Sequence, residues 1–272
     1  QRKSRSHEPS CVLKRETLKP MKICILGNSV GLRIRPVRNN PRDMTYSEIL
    51  ELHGHLVRNV CRSASMLNEA FAYLEEDVLT FFPDVVILHY GIVEATNRRT
   101  FRWTNNRAIV NYYTNRLFAR TFTFDTLPNR VCHLFFRAFN SGMRRLATRL
   151  GVQWQWLPTP RFLVVLKAIL EQIMKETHAV IIVIGVAPCF DHDDNMTQST
   201  LTNILHLNEG MRAVCAQYPN RVRYLDPGSF VRECDMSALV PDAVHFSAEG
   251  HRRLADAVLH LLEEVLAGKR GE

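Results

Sequence analysis

Five short apolar runs recur along this chain, and what separates them constrains the fold more than any other feature. The runs are Lys22–Gly27, Leu56–Val60, Asp84–His89, Ala179–Val186 and Val222–Leu225. Each is short, rich in β-branched or aliphatic residues and bounded by turn-forming residues, the pattern of a buried strand. Between them lie stretches with helical spacing. Thr45–His53 sets Ile49, Leu50 and Leu52 on one side. Ser65–Phe82 repeats Leu67, Ala70, Phe71, Leu74 and Val78 until Pro83 stops it. Further helices are expected near Pro160–Thr177, Leu201–Gln217 and Ser247–Leu266, the last with Ser247 as its N-cap. Strands that alternate with helices predict a parallel sheet covered on both faces. The expected fold is a three-layer α/β/α sandwich on a flavodoxin-like five-stranded sheet. Function in such folds gathers at the carboxyl ends of the strands.

With 272 residues, the chain suits one large α/β domain carrying an insertion. Residues 1–20 are polar and basic and are expected to form a disordered extension. Residues 21–268 form the domain, interrupted by an Arg-rich helical insertion at about 99–158. Charges near the N-terminus have no apolar stretch behind them, so no secretory signal is expected. The longest clean apolar run, Ala179–Ala187, is too short for a bilayer core, which needs roughly 20 residues. Seven cysteines, odd in number, widely spaced and without a CxxC pair, fit free thiols in a reducing compartment such as the cytoplasm.

Two short motifs carry candidate chemistry. Gly27-Asn28-Ser29 follows the first strand directly. A glycine there permits a sharp turn that lifts a hydroxyl clear of the sheet, as a nucleophile requires; a serine after a strand also serves as a helix cap. Asp242-Ala243-Val244-His245 precedes the last helix. An aspartate three residues before a histidine on an irregular loop can turn its carboxylate to Nδ1 and leave Nε2 facing a nucleophile. The same segment also reads as a surface loop that caps the following helix.

Taken together, these segments resemble the SGNH/GDSL hydrolase family, with a Gly-Asp-Ser turn after its first strand and Asp-x-x-His before its final helix. The resemblance spans roughly residues 21–98 and 160–266. It implies Ser29 as nucleophile, His245 as general base and Asp242 as the third member of a triad. The family's second block, Asn-x-Gly-x-Ser-Gly, is here Asn59-Val60-Cys61-Arg62-Ser63-Ala64, so Ala64 takes the place of the residue whose amide faces the oxyanion. Its third block, Gly-x-Asn-Asp, is here Gly91-Ile92-Val93-Glu94. Val93 removes a side-chain donor worth about 10²–10³ in rate. Asn97 is the nearest amide that a shifted position offers, so the expected oxyanion hole comprises Ser29, Ala64 and Asn97. Asn28 replaces an aspartate that is not the nucleophile.

The insertion adds a charge asymmetry. Residues 98–161 hold twelve arginines, no lysine and a single acidic residue, Asp125, interleaved with aromatic side chains. An anionic ester, or one borne by an acidic carrier protein, fits such a segment, with Glu94, Arg98 and Arg99 nearest the site as substrate-binding residues. No nucleic-acid module is recognisable. Asp191-His192-Asp193-Asp194 consists of adjacent loop residues, a poor metal cage, and neither metal nor cofactor is expected. The expected activity is serine-dependent ester hydrolysis through an acyl-enzyme. Acyl transfer by the same triad, or a catalytically weak binding protein on the same fold, are the alternatives.

Overall fold

The computed structural model of the chain describes residues 19–34, 37, 40–98, 138–139, 141–143, 145–187, 198–231, 236–242 and 244–270. Its centre is a sheet of five parallel strands: β1 (Lys22–Gly27), β2 (Leu56–Asn59), β3 (Val85–His89), β4 (Val180–Ile184) and β5 (Val222–Leu225). The spatial order is β2-β1-β3-β4-β5, with register pairs such as Ile25↔Asn59, Gly27↔His89 and Leu88↔Val183. Every residue of β3 and β4 is buried, as expected of strands covered on both faces, while edge strand β2 is only half-buried. The chain leaves β1 toward β2 on one side and returns to β3 on the other. The carboxyl ends of β1 and β3 therefore border the topological switch point, where such sheets hold their ligands.

Among the helices are α1 (Tyr46–Leu52), the single turn α2 (Ile92–Ala95), α3 (Thr159–Glu176), α4 (Gln198–Cys215) and α5 (Ala248–Arg270). A capping box fixes the start of α1: Thr45 Oγ1 accepts from Glu48 N, and Glu48 Oε2 accepts from Thr45 N at 2.7 Å. Ser247 caps α5, accepting from Gly250 N at 3.2 Å. Helices α1 and α5 pack together, as do α3 and α4, which supplies the two outer layers of the sandwich. Among the described residues, no helix is long and apolar enough to cross a membrane.

One expected helix is broken. Instead of running evenly over 65–82, the chain forms 3-10 turns at Leu67–Glu69 and Leu79–Phe81 around an α turn and a π turn, Leu74–Val78. The Asp77 carbonyl turns outward to accept from Arg58 Nη1 at 3.2 Å and from the Cys24 thiol. A carbonyl drawn out of the helical ladder opens it locally. Of the expected insertion helices, the one near 105–120 lies outside the described residues, and the one near 131–150 is seen as helical turns within 138–149.

Candidate active site

Ser29 sits where the sheet itself makes room for it. A Cβ on Gly27 would lie 2.7 Å from the His89 carbonyl, so only glycine allows β1 to pass this close to β3. Asn28 then turns the chain: its N–H donates to His89 O, and its Oδ1 accepts from Val30 N at 3.1 Å. This side-chain cap starts the 3-10 turn Ser29–Gly31 and presents Ser29, half-buried, at the strand end. As the first residue of the turn, Ser29 has an N–H without a partner within it. Asn59, on β2, ties this turn to the following loop: its Nδ2 donates to Gly31 O at 2.8 Å, and its Oδ1 accepts from Cys61 N.

The loop before α5 is folded by its own aspartate. Asp242 Oδ1 accepts from the backbone N–H groups of Val244 (3.0 Å) and His245 (2.6 Å), while Oδ2 faces His245 Nδ1 at 2.7 Å. One carboxylate thus shapes the turn and sets the ring. Because an ionised carboxylate only accepts, the proton sits on Nδ1 and leaves Nε2 free to accept. Nε2 lies 2.9 Å from Ser29 Oγ. Partial burial pushes the Asp242 pKa up, but the hydrogen bonds from the His245 ring and backbone outweigh it, and the net shift is downward. Asp242 therefore stays ionised beside the imidazole.

Ala64 has φ +55, the left-handed conformation that glycine normally supplies. Its loop is held from both sides. Arg62 N donates to Gly27 O at 3.0 Å, and Ser65 Oγ donates to Glu69 Oε2 and shares a hydrogen bond with Tyr73 Oη. Tyr73 in turn bonds the hydroxyl of Tyr90, next to β3. Glu94 completes the bracing. It is 1% exposed, and its two oxygens accept from Leu67 N (2.8 Å) and Gly91 N (3.1 Å). Glu94 was expected to bind substrate; its oxygens instead tie the third block to Leu67, three residues beyond the second.

Asn97 also differs from expectation. Its Nδ2 donates to Ser199 Oγ at 2.7 Å, and its Oδ1 accepts from Asn203, so the amide fastens the end of α2 to α4 and is not directed at an oxyanion. Arg98 pairs its backbone with Trp154 and lays its guanidinium over Trp156 at 4.0 Å, a packing role. Arg99 and Asp191–Asp194 lie outside the described residues. Among the described residues, no group of three His, Cys, Asp or Glu side chains is arranged to hold a metal.

Two buried histidines escaped the sequence reading. His89, the polar end of an otherwise apolar strand, is 5% exposed, and burial, aided by nearby His251, pushes its pKa down to about 3. His251 accepts from Tyr46 N and stacks on the Tyr46 ring; burial lowers it to about 4. Both are neutral at physiological pH. The available signal for His89 was its position, closing a strand at the functional edge.

Residues 51–253 match the model of the GDSL-like lipase/acylhydrolase family. The chain belongs to that family. It is an ester hydrolase by class, and the matched span includes Asp242 and His245 and begins after Ser29. No curated protein sequence matches it. Among solved structures, a catalytic mutant of an acetylxylan esterase from Geobacillus stearothermophilus is similar at 15% identity and TM-score 0.54, over 90% of this chain and 95% of that one. An alpha/beta hydrolase enzyme from the metagenome of Lake Arreo, Spain, is similar at 14% identity and TM-score 0.55, over 90% and 96%. At these identities the likeness is one of fold, and it agrees with the three-layer sandwich.

Proposed function

We propose that the chain is a serine esterase working through an acyl-enzyme at Ser29. The observation that carries this reading is the continuous line from Asp242 Oδ2 to His245 Nδ1 (2.7 Å) and from His245 Nε2 to Ser29 Oγ (2.9 Å). His245 takes the Ser29 proton as Oγ bonds to the ester carbon. Asp242 steadies the imidazolium, and the amides of Ser29 and Ala64 receive the oxyanion. Collapse breaks the bond to the leaving alcohol, which takes the proton from His245. Water, deprotonated by the same His245, then attacks the acyl-serine and releases the acid. The acetylxylan esterase was solved as catalytic mutants at a serine, an aspartate and a histidine, with the last two three positions apart. Asp242 and His245 have the same spacing.

The arginines of 98–161 extend this reading to an anionic or carrier-borne leaving group, and an alcohol or amine in place of water would make the reaction acyl transfer. Arg99→Gln should raise KM for an anionic ester and spare a small neutral one. An equal effect on both removes the anionic leaving group from the reading. The central test is a fluorophosphonate. It should add one adduct mass to the protein at Ser29, and Ser29→Ala or His245→Ala should abolish labelling. A folded wild-type chain that stays unlabelled overturns the mechanism.

A further inference from the structure

His89 and His251 are buried and take no part in the proposed chemistry, yet both belong to one cluster of rings. Tyr46, His89, Phe246 and His251 are each 5% exposed or less. Their rings close a cycle. Tyr46 lies edge-on to His89, with centroids 5.7 Å apart, and His89 meets Phe246 at 6.2 Å. Phe246 lies edge-on to His251 at 5.8 Å, and His251 stacks on Tyr46 at 6.0 Å with the planes 16° apart. The four side chains come from α1, β3, the loop of His245 and α5.

The cycle touches both halves of the triad. On the nucleophile side, Tyr46 Oη lies 3.6 Å from where a Cβ on Gly31 would stand, and Gly31 ends the Ser29 turn. The His89 carbonyl accepts from Asn28 N, directly before Ser29. On the base side, Phe246 follows His245, and His251 lies in the first turn of α5. Ring pairs are favourable over centroid distances of about 4.5–7 Å, whereas a hydrogen bond weakens steeply with misalignment. Such a bond joins the two sides: Tyr46 N, the first amide of α1, donates to His251 Nδ1 at 3.3 Å in a buried setting. A first-turn amide has no partner within its own helix, so His251 caps α1 from α5. Burial holds the His251 pKa down at about 4, so the ring is neutral at physiological pH, with its proton on Nε2 and Nδ1 able to accept.

We propose that His251 is a positioning residue: its bond to Tyr46 N sets α5, and with it the loop of His245, against the Ser29 turn, and so holds His245 Nε2 within reach of Ser29 Oγ. A misplacement of about 1 Å between reacting groups costs up to about 10²-fold in rate. The inference rests on Ser29 being the nucleophile.

The experiment compares His251→Asn, His251→Gln and His251→Phe by the rate of fluorophosphonate labelling at Ser29, by kcat and KM on a small neutral ester, and by urea unfolding. Asparagine keeps the acceptor in place, because its Oδ1, like the histidine Nδ1, is one bond from Cγ. Glutamine carries its oxygen one carbon further out. Phenylalanine keeps a ring against Tyr46 and Phe246 and has no acceptor. His251→Asn should label within about threefold of wild type, while His251→Gln and His251→Phe should each lose about 10–100-fold in labelling rate and kcat with KM unchanged. A purely structural role would lower the urea midpoint and leave the labelling rate of the folded variants at the wild-type value; that result overturns the proposal. So does a His251→Asn variant that falls as far as His251→Phe, which assigns the effect to ring packing. Failure of His251→Gln and His251→Phe to fold makes His251 a structural residue only and overturns it too, as does a change confined to KM. A folded wild type that stays unlabelled is a different failure, that of the serine mechanism, and the positioning role falls with it.

Discussion

Replacing Glu94 with glutamine tests whether a buried carboxylate, remote from the reacting atoms, sets the geometry of the oxyanion loop. Both its oxygens accept backbone N–H groups, from Leu67 and from Gly91, at buried positions. A hydrogen bond to a charged group contributes about 1.5–3 kcal/mol. Glutamine keeps one acceptor and turns an NH2 toward the other N–H, so one bond is lost and a buried donor is left facing a donor. The expected cost is about 2–4 kcal/mol, a large share of the roughly 5–15 kcal/mol that holds a domain together. The same bond fixes Leu67, three residues beyond Ala64. Loosening it should displace the Ala64 amide and lower kcat about tenfold, short of the 10²–10³ for losing an oxyanion donor outright. KM should hardly change. Urea unfolding followed by far-UV circular dichroism measures the first effect, and steady-state kinetics on a neutral ester measures the second. A loss of stability below about 0.5 kcal/mol would refute the brace. Lost stability with unchanged kcat would show that the brace does not reach the oxyanion loop.

Three further outcomes are expected. Ala64→Gly relieves a left-handed alanine at φ +55 and should raise stability by about 0.5–1 kcal/mol, net of the extra freedom glycine gives the unfolded chain, as read by urea midpoint. Asp242 has its pKa lowered from the ordinary 3.8, so its contribution is complete above that value and is lost as pH falls through the lower folded value. The stability difference between wild type and Asp242→Asn should thus be flat from pH 7 to about 4 and shrink only below; a difference that shrinks between pH 7 and 5 would contradict the assignment. Burial pushes the Cys24 thiol up to about 12 and raises Cys61 as well, so a thiol reagent should leave both unmodified in the native protein at pH 8 and react on unfolding.

Sequence reading found what local pattern determines. The strands were legible because β3 and β4, buried on both faces, are continuous apolar runs. The Asp-x-x-His loop was legible because its spacing is what lets one carboxylate bind its own turn and the ring. The misreadings have non-local causes. Helix 65–82 broke because Arg58, on another strand, draws out the Asp77 carbonyl. Glu94 and Asn97 looked available at the mouth of the site, yet their partners lie 27 and 102 residues away in sequence. A spacing argument cannot see such partners. His89 was read only as the end of a strand, because the rings packed against it, Tyr46 and Phe246, come from α1 and from the loop before α5.

The Ser29–His245 bond spans 216 positions of sequence. During synthesis Ser29 leaves the ribosome well before His245 does. At 5–20 residues per second the interval is about 10–40 s. On the proposed mechanism, Ser29 is for that time an unactivated alcohol on a growing chain, unable to attack any ester it meets. A chain that stalls anywhere before residue 245 is inert for the same reason. On the proposed serine mechanism, hydrolytic competence arrives as a late, single event, when the loop of His245 closes over the end of the first strand, and ester turnover becomes a direct readout of whether residues 29 and 245 have met.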